Sequence, residues 1–125
     1  DEIGGMFKKV PRGLIFAGLE VMGSEAGTSA AAIQDFDRRL PDMLDRLRPG
    51  DLFIITGDHG RDPGKPHALP TREYVPLLIT GPKLAQGVNL GVRPTAPDLA
   101  QTIVEGLKGE SLTIGDSFLD VLRPG

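Results

Sequence analysis

Asp58 and His59 stand side by side between two glycines, in the string Gly57-Asp58-His59-Gly60. A carboxylate oxygen beside an imidazole nitrogen is a donor pair for a divalent metal ion, and flanking glycines let the backbone come close to whatever is bound. Immediately upstream lies Leu52-Phe53-Ile54-Ile55, an apolar run without alternation. A run of this kind, bounded by turn residues, reads as a strand buried on both faces. Parallel sheets hold their chemistry just beyond the carboxyl ends of such strands, which is where Asp58 and His59 fall. The same four residues also fit a charged turn after a core strand, with no chemistry attached.

The elements that must position this turn can be read outward from it. Gly13–Leu19 is apolar enough for a first strand, and its following loop, Glu20–Gly27, would lie on the side of the sheet that meets Asp58. From Thr28 the period becomes helical: Ala32, Ile33, Phe36, Leu40, Met43, Leu44 and Leu47 form one apolar stripe. Thr28 or Ser29 is its candidate cap, Pro49-Gly50 its stop, and Pro41 predicts a kink or a second start near Leu40. Asp37, Arg38 and Arg39 belong on or beside its solvated face, with phosphate binding by the two arginines as the alternative. Beyond the central run, Arg61–Thr71 is a polar loop carrying Pro63, Pro66 and Pro70, which limit its conformations. Tyr74–Thr80 is the next strand, closed by Gly81-Pro82. Thr95 is the expected cap of a second helix, with Pro97 and Asp98 in its first turn and Leu99, Ile103, Val104 and Leu107 on its core face. Gly109 is its expected end, and the tail supplies Leu112, Ile114, Phe118, Leu119 and Leu122 for docking.

Residues 1–12 are Gly-rich and read as a flexible lead-in, and residues 13–125 as a single domain. The order strand, helix, strand, strand, helix predicts an α/β fold: a layered, largely parallel sheet flanked by helices. Hydrophobic residues make up 39% of the 125 and charged residues 25%, ordinary for a soluble domain with a real core. The net charge of −3 and the lack of a Lys/Arg cluster argue against nucleic acid as partner. No apolar run reaches 18 residues, so no membrane span is expected, and a cytoplasmic location is the default. The chain has no cysteine, which excludes thiolate metal sites and disulfides. It also has no tryptophan, so an aromatic stacking platform is not expected.

Gly57-Asp58-His59-Gly60, Asp62-Pro63 and Thr71-Arg72-Glu73-Tyr74-Val75-Pro76-Leu77-Leu78 together resemble the phosphopentomutases of the alkaline phosphatase superfamily. The likeness extends upstream through Phe36-Asp37-Arg38-Arg39-Leu40-Pro41. Downstream it takes in Gly81-Pro82, Val88-Asn89-Leu90-Gly91 and Gly115-Asp116-Ser117-Phe118-Leu119. It spans roughly Gly13 to Leu119 and implies the C-terminal part of that family's core, an alkaline phosphatase-like partial core.

The family pattern holds two metal ions, manganese by resemblance, arranged as two-metal phosphoryl transfer requires. One ion takes an Asp-His pair, an aspartate near the family's N-terminus and a phosphorylated threonine. The other takes an Asp-x-x-x-x-His segment ahead of the long helix and a histidine just before Thr-Arg-Glu-Tyr. Asp58 and His59 match the first ion's pair. The second set has no match: Pro70 stands before Thr71, and no histidine precedes His59. The chain's other histidine, His67, lies four residues ahead of Thr71 and is the candidate substitute ligand. Glu20 and Glu25 offer oxygens from the first strand's loop. Arg72 either pairs locally with Glu73 or orients a substrate phosphate.

The family's threonine nucleophile and N-terminal portion have no counterpart in these residues. The expectation is a truncated or degenerate phosphopentomutase-like domain, inactive alone in the family reaction between ribose 1-phosphate and ribose 5-phosphate. Metal binding would be weak or absent. The alternatives are a non-catalytic oligomerisation or partner-binding module and a single-metal phosphate-ester hydrolase. The expected partners are a second copy of the chain or a separate chain supplying the N-terminal part, with a phosphorylated sugar as ligand.

Overall fold

Phe53–Thr56 is a strand because Phe and two adjacent isoleucines fit a pleated, half-buried surface. The computed structural model describes residues 2–19, 28–60, 62 and 70–124. In it the elements run α1 (Glu2–Lys9), α2 (Thr28–Leu44), β1 (Phe53–Thr56), β2 (Leu77–Thr80), α3 (Pro97–Leu107) and α4 (Leu119–Leu122). The chain divides into two compact units, Asp1–Lys9 with Ile15–Pro82, and Val10–Leu14 with Lys83–Gly125.

In the first unit β1 pairs with β2, Phe53 opposite Thr80 and Thr56 opposite Leu77. The pairing is antiparallel, which corrects the expectation of a largely parallel sheet for these two runs. A parallel neighbour requires a crossover, usually a helix, and the described residues between β1 and β2 contain none. β1 is half-buried rather than fully buried. Residues 13–19 form no strand: among the described residues no neighbour takes their backbone hydrogen bonds, and without one a strand has no ladder. Residues 2–9 form α1 despite two glycines, with Lys8 and Lys9 in the last turn, where cations favour the helix dipole.

Helix α2 runs through Pro41 without a second start. Its half-buried positions include Ala32, Phe36, Leu40, Met43 and Leu44, one stripe at helical spacing, while Ile33 is half-exposed. On its open face Asp35 pairs with Arg38 at 3.0 Å and Arg39 at 3.2 Å. All three side chains are exposed, so these pairs add only about 0.3–0.5 kcal/mol each. Past the helix, Asp51 accepts from the Arg48 backbone N–H and from its guanidinium, at 2.9 and 3.0 Å. Partial burial acts to raise the Asp51 pKa, but the Arg48 hydrogen bonds outweigh it and hold the carboxyl below its ordinary range.

The second unit holds the only fully buried apolar side chains among the described residues: Phe118, Leu119 and Leu122. The expected core face of α3 is corrected here. Leu99, Ile103, Val104 and Leu107 are only half-buried, and the buried α3 residues are Asp98, Gln101 and Thr102. This polar face fastens the tail to the helix. Asp98 Oδ1 accepts from Thr95 Oγ1 at 2.8 Å and from the Asp116 N–H at 3.1 Å. Arg93 closes on Oδ2 at 3.1 Å and lies 5.1 Å from the centre of the Phe118 ring. Thr102 Oγ1 donates to the Asp98 carbonyl and accepts the Phe118 N–H, while Gln101 takes the N–H of Leu112. Thr95 therefore spends its hydroxyl on Asp98, and the helix starts at Pro97 after Ala96 without a side-chain cap. At the other end Lys108 is left-handed (φ 60°), with Gly109 N–H on the Val104 carbonyl and Lys108 N–H on Glu105. That pair of bonds closes the helix one residue before the expected Gly109.

Candidate metal-binding turn

Where β1 ends, Gly57 tucks under Val75: a Cβ at Gly57 would lie 3.1 Å from that side chain. The chain then turns outward through Asp58 and His59 and returns at Gly60, which is buried and bridged to Thr71. Gly60 has no room for a side chain. A Cβ there would fall on the Glu73 carbonyl oxygen and lie 2.7 Å from the Glu73 nitrogen. The turn is thus pinned at both ends by glycines packed against the 71–75 segment, and its two candidate ligand side chains are exposed. Asp58 is 92% exposed and His59 43%.

The two side chains converge, with Asp58 Oδ1 3.7 Å from His59 Nε2. His59 Nδ1 lies 2.8 Å from the Gly60 carbonyl oxygen. A carbonyl only accepts, so Nδ1 carries the proton and neutral His59 keeps its lone pair on Nε2, the nitrogen beside Asp58. An anionic oxygen and an imidazole nitrogen whose far side is already hydrogen-bonded fit a divalent cation of manganese or zinc character. They fit it as two ligands. No group of three or more His, Asp or Glu side chains converges among the described residues.

The other candidates are not brought to this turn. His67, Glu20 and Glu25 lie outside the described residues. Arg72 is exposed on the segment that returns from the turn. Thr71, which sequence reasoning passed over, has a buried hydroxyl with no hydrogen-bond partner among the described residues. Its position directly ahead of Arg72 was the available signal.

Residues 24–110 match the Metalloenzyme superfamily, a span that includes the whole turn and the strands on either side. The chain belongs to the metalloenzyme superfamily. Within it the chain is similar to phosphopentomutases. The one from Herpetosiphon aurantiacus is 50% identical over 94 residues, which are 75% of this chain and 24% of the relative. That of Caldanaerobacter subterraneus subsp. tengcongensis is 44% identical over 116 residues, 88% of this chain and 30% of the relative. That of Dictyoglomus turgidum is 38% identical over 134 residues, covering 100% of this chain and 34% of the relative. The chain spans about a quarter to a third of the length of these curated relatives. As a metalloenzyme-superfamily chain with a mixed helix and strand fold, it is expected to handle a divalent metal. No helix among the described residues is long and apolar enough to cross a membrane.

Proposed function

We propose that this chain is a phosphopentomutase-like segment that contributes Asp58 and His59 as half of one divalent-metal site, manganese in the first instance. The observation that carries the reading is the convergence of Asp58 Oδ1 and His59 Nε2 on an exposed, glycine-pinned turn inside the superfamily match. When bound, the ion supplies charge neutralisation to a phosphoryl group. The chain's own part is to present one carboxylate oxygen and one imidazole nitrogen at a fixed spacing. Further ligands come from parts of the relatives' length that this chain does not span, on a second chain or in a longer whole, with His67 as the local candidate. Arg72 is exposed on the same return segment and is the candidate contact for a sugar phosphate. The fuller architecture is a layered, largely parallel sheet completed by those other parts, and the location is cytoplasmic.

A tight site wants three or four protein ligands, so the chain alone should bind manganese weakly, well above micromolar. Paramagnetic broadening by manganese is expected first at Gly57–Gly60, and Asp58→Asn should weaken it by about tenfold or more without altering the fold. Asp58 is almost fully exposed, which is why the fold should not notice. Broadening that starts elsewhere and leaves the turn sharp would end this reading.

A second reading, association, has its own observation. No described apolar residue of the first unit is fully buried, and Phe16 and Tyr74 are each 85% exposed, with Leu78 at 59%. Apolar surface of that kind is ordinarily covered by another chain. A homodimer or larger species is expected in sedimentation at tens of micromolar, and a clean monomer there would refute it.

A further inference from the structure

We propose that the Gly60 carbonyl is a positioning group for His59, holding it as the Nδ1–H tautomer so that Nε2 is the coordinating nitrogen. This rests on the reading of Asp58 and His59 as a metal-binding pair. The carbonyl accepts twice, from His59 Nδ1 at 2.8 Å and from the Thr71 N–H at 2.9 Å. Both lone pairs are then used, and the second bond fixes the direction of the first. The bridge to Thr71 is close enough that a Cβ at Gly60 would also come within 2.8 Å of the Thr71 carbonyl oxygen. Only glycine lets the return segment sit this near. The consequence is chemical: a histidine ligand binds best when its other nitrogen donates to a fixed acceptor, which sets the ring's angle and tautomer. Here that acceptor is the backbone of the next residue, so the turn carries its own second layer of support and needs no carboxylate behind the ring.

The test uses the full chain without metal at about pH 8, above the ordinary imidazole range. Long-range proton–nitrogen correlation spectra should show His59 with a protonated Nδ1 and a bare Nε2. A ring protonated at Nε2, or a mixture like that of a free imidazole, would overturn the proposal. Gly60→Ala should shift His59 toward the Nε2–H form and weaken manganese broadening at the turn by about 10–100-fold. Manganese binding unchanged in that variant would also overturn it. Should Gly60→Ala not fold, the tautomer of the unmodified chain still decides. A ring held as Nδ1–H that manganese never touches would instead sink the metal reading, and with it the role of the carbonyl, while leaving the tautomer established.

Discussion

Purified alone and supplied with manganese, the 125-residue chain is expected not to interconvert ribose 1-phosphate and ribose 5-phosphate at a detectable rate. Phosphoryl transfer depends on positioning and on stabilising charge, with little covalent help from the protein. Losing a single preorganised stabilising group already costs on the order of 10²–10³ in rate. This chain presents two converging donors, Asp58 and His59, where a catalytic centre uses more. Pro70 occupies the place before Thr71 where the resemblance puts a histidine, and the whole sequence has only two histidines. Parts that act as a unit do not fail by degrees, so the expected deficit against a complete two-ion centre is ~10⁴-fold or more. The assay is a coupled measurement of ribose 5-phosphate formation with manganese at millimolar excess. Activity that depended on manganese and vanished in Asp58→Asn would show that the chain completes a working site, and His67 or Glu20 would then be the ligands to seek.

Some of this molecule was legible in its residue types. Leu52–Ile55 is a short apolar run bounded by turn residues, which reads as a strand, and β1 lies there, half-buried rather than packed from both sides. The turn after it was marked by a carboxylate and an imidazole between glycines. The direction of the neighbouring strand was not marked, because antiparallel and parallel partners use the same side chains and differ in the path between them. The polar face of α3 escaped for a different reason. Periodicity finds apolar stripes, and it put Leu99, Ile103 and Val104 inward, whereas the buried contacts are made by Asp98 and Thr102 with partners 18 and 16 residues away. Thr95 looked like a cap because a short hydroxyl ahead of Pro97 fits one, yet Asp98 competes for that hydroxyl and wins. At the candidate site, the choice of nitrogen on His59 depends on where one carbonyl points. No residue type encodes that.

Asp98→Ala is expected to loosen the second unit, lowering its melting temperature by roughly 5–10 °C. Asp98 is 2% exposed, and its carboxylate is the common acceptor for Thr95, the Asp116 N–H and Arg93. Alanine leaves the Asp116 backbone donor and the half-buried Arg93 guanidinium without their partner at once and removes the acceptor of the exposed Thr95 hydroxyl, and unmet donors cost more than the bonds themselves returned. It also frees the segment around Gly115, whose φ of +94° and close approach to the Pro97 carbonyl exist only while the tail lies against the start of α3. The same carboxylate gives a pH signature. The Asp116 N–H first, then Thr95 and Arg93, hold its pKa below the ordinary 3.8 against the opposing effect of burial. A depressed acid pKa stabilises the folded form above the unfolded value, and that stability is lost as pH falls through the folded one. Unmodified chain should therefore lose second-unit stability progressively below about pH 4, while Asp98→Ala, already weakened, should show a flatter acid limb. Asn at the same position keeps an acceptor for Asp116 but not the charge for Arg93, so its melting point should fall between the two. The amide signals of Thr102 and Phe118 report this unit directly, since both sit in the network and both are buried. If those signals melted at the same temperature in Asp98→Ala as in the unmodified chain, the tail would be held by Phe118, Leu119 and Leu122 alone and the polar face of α3 would be incidental to it.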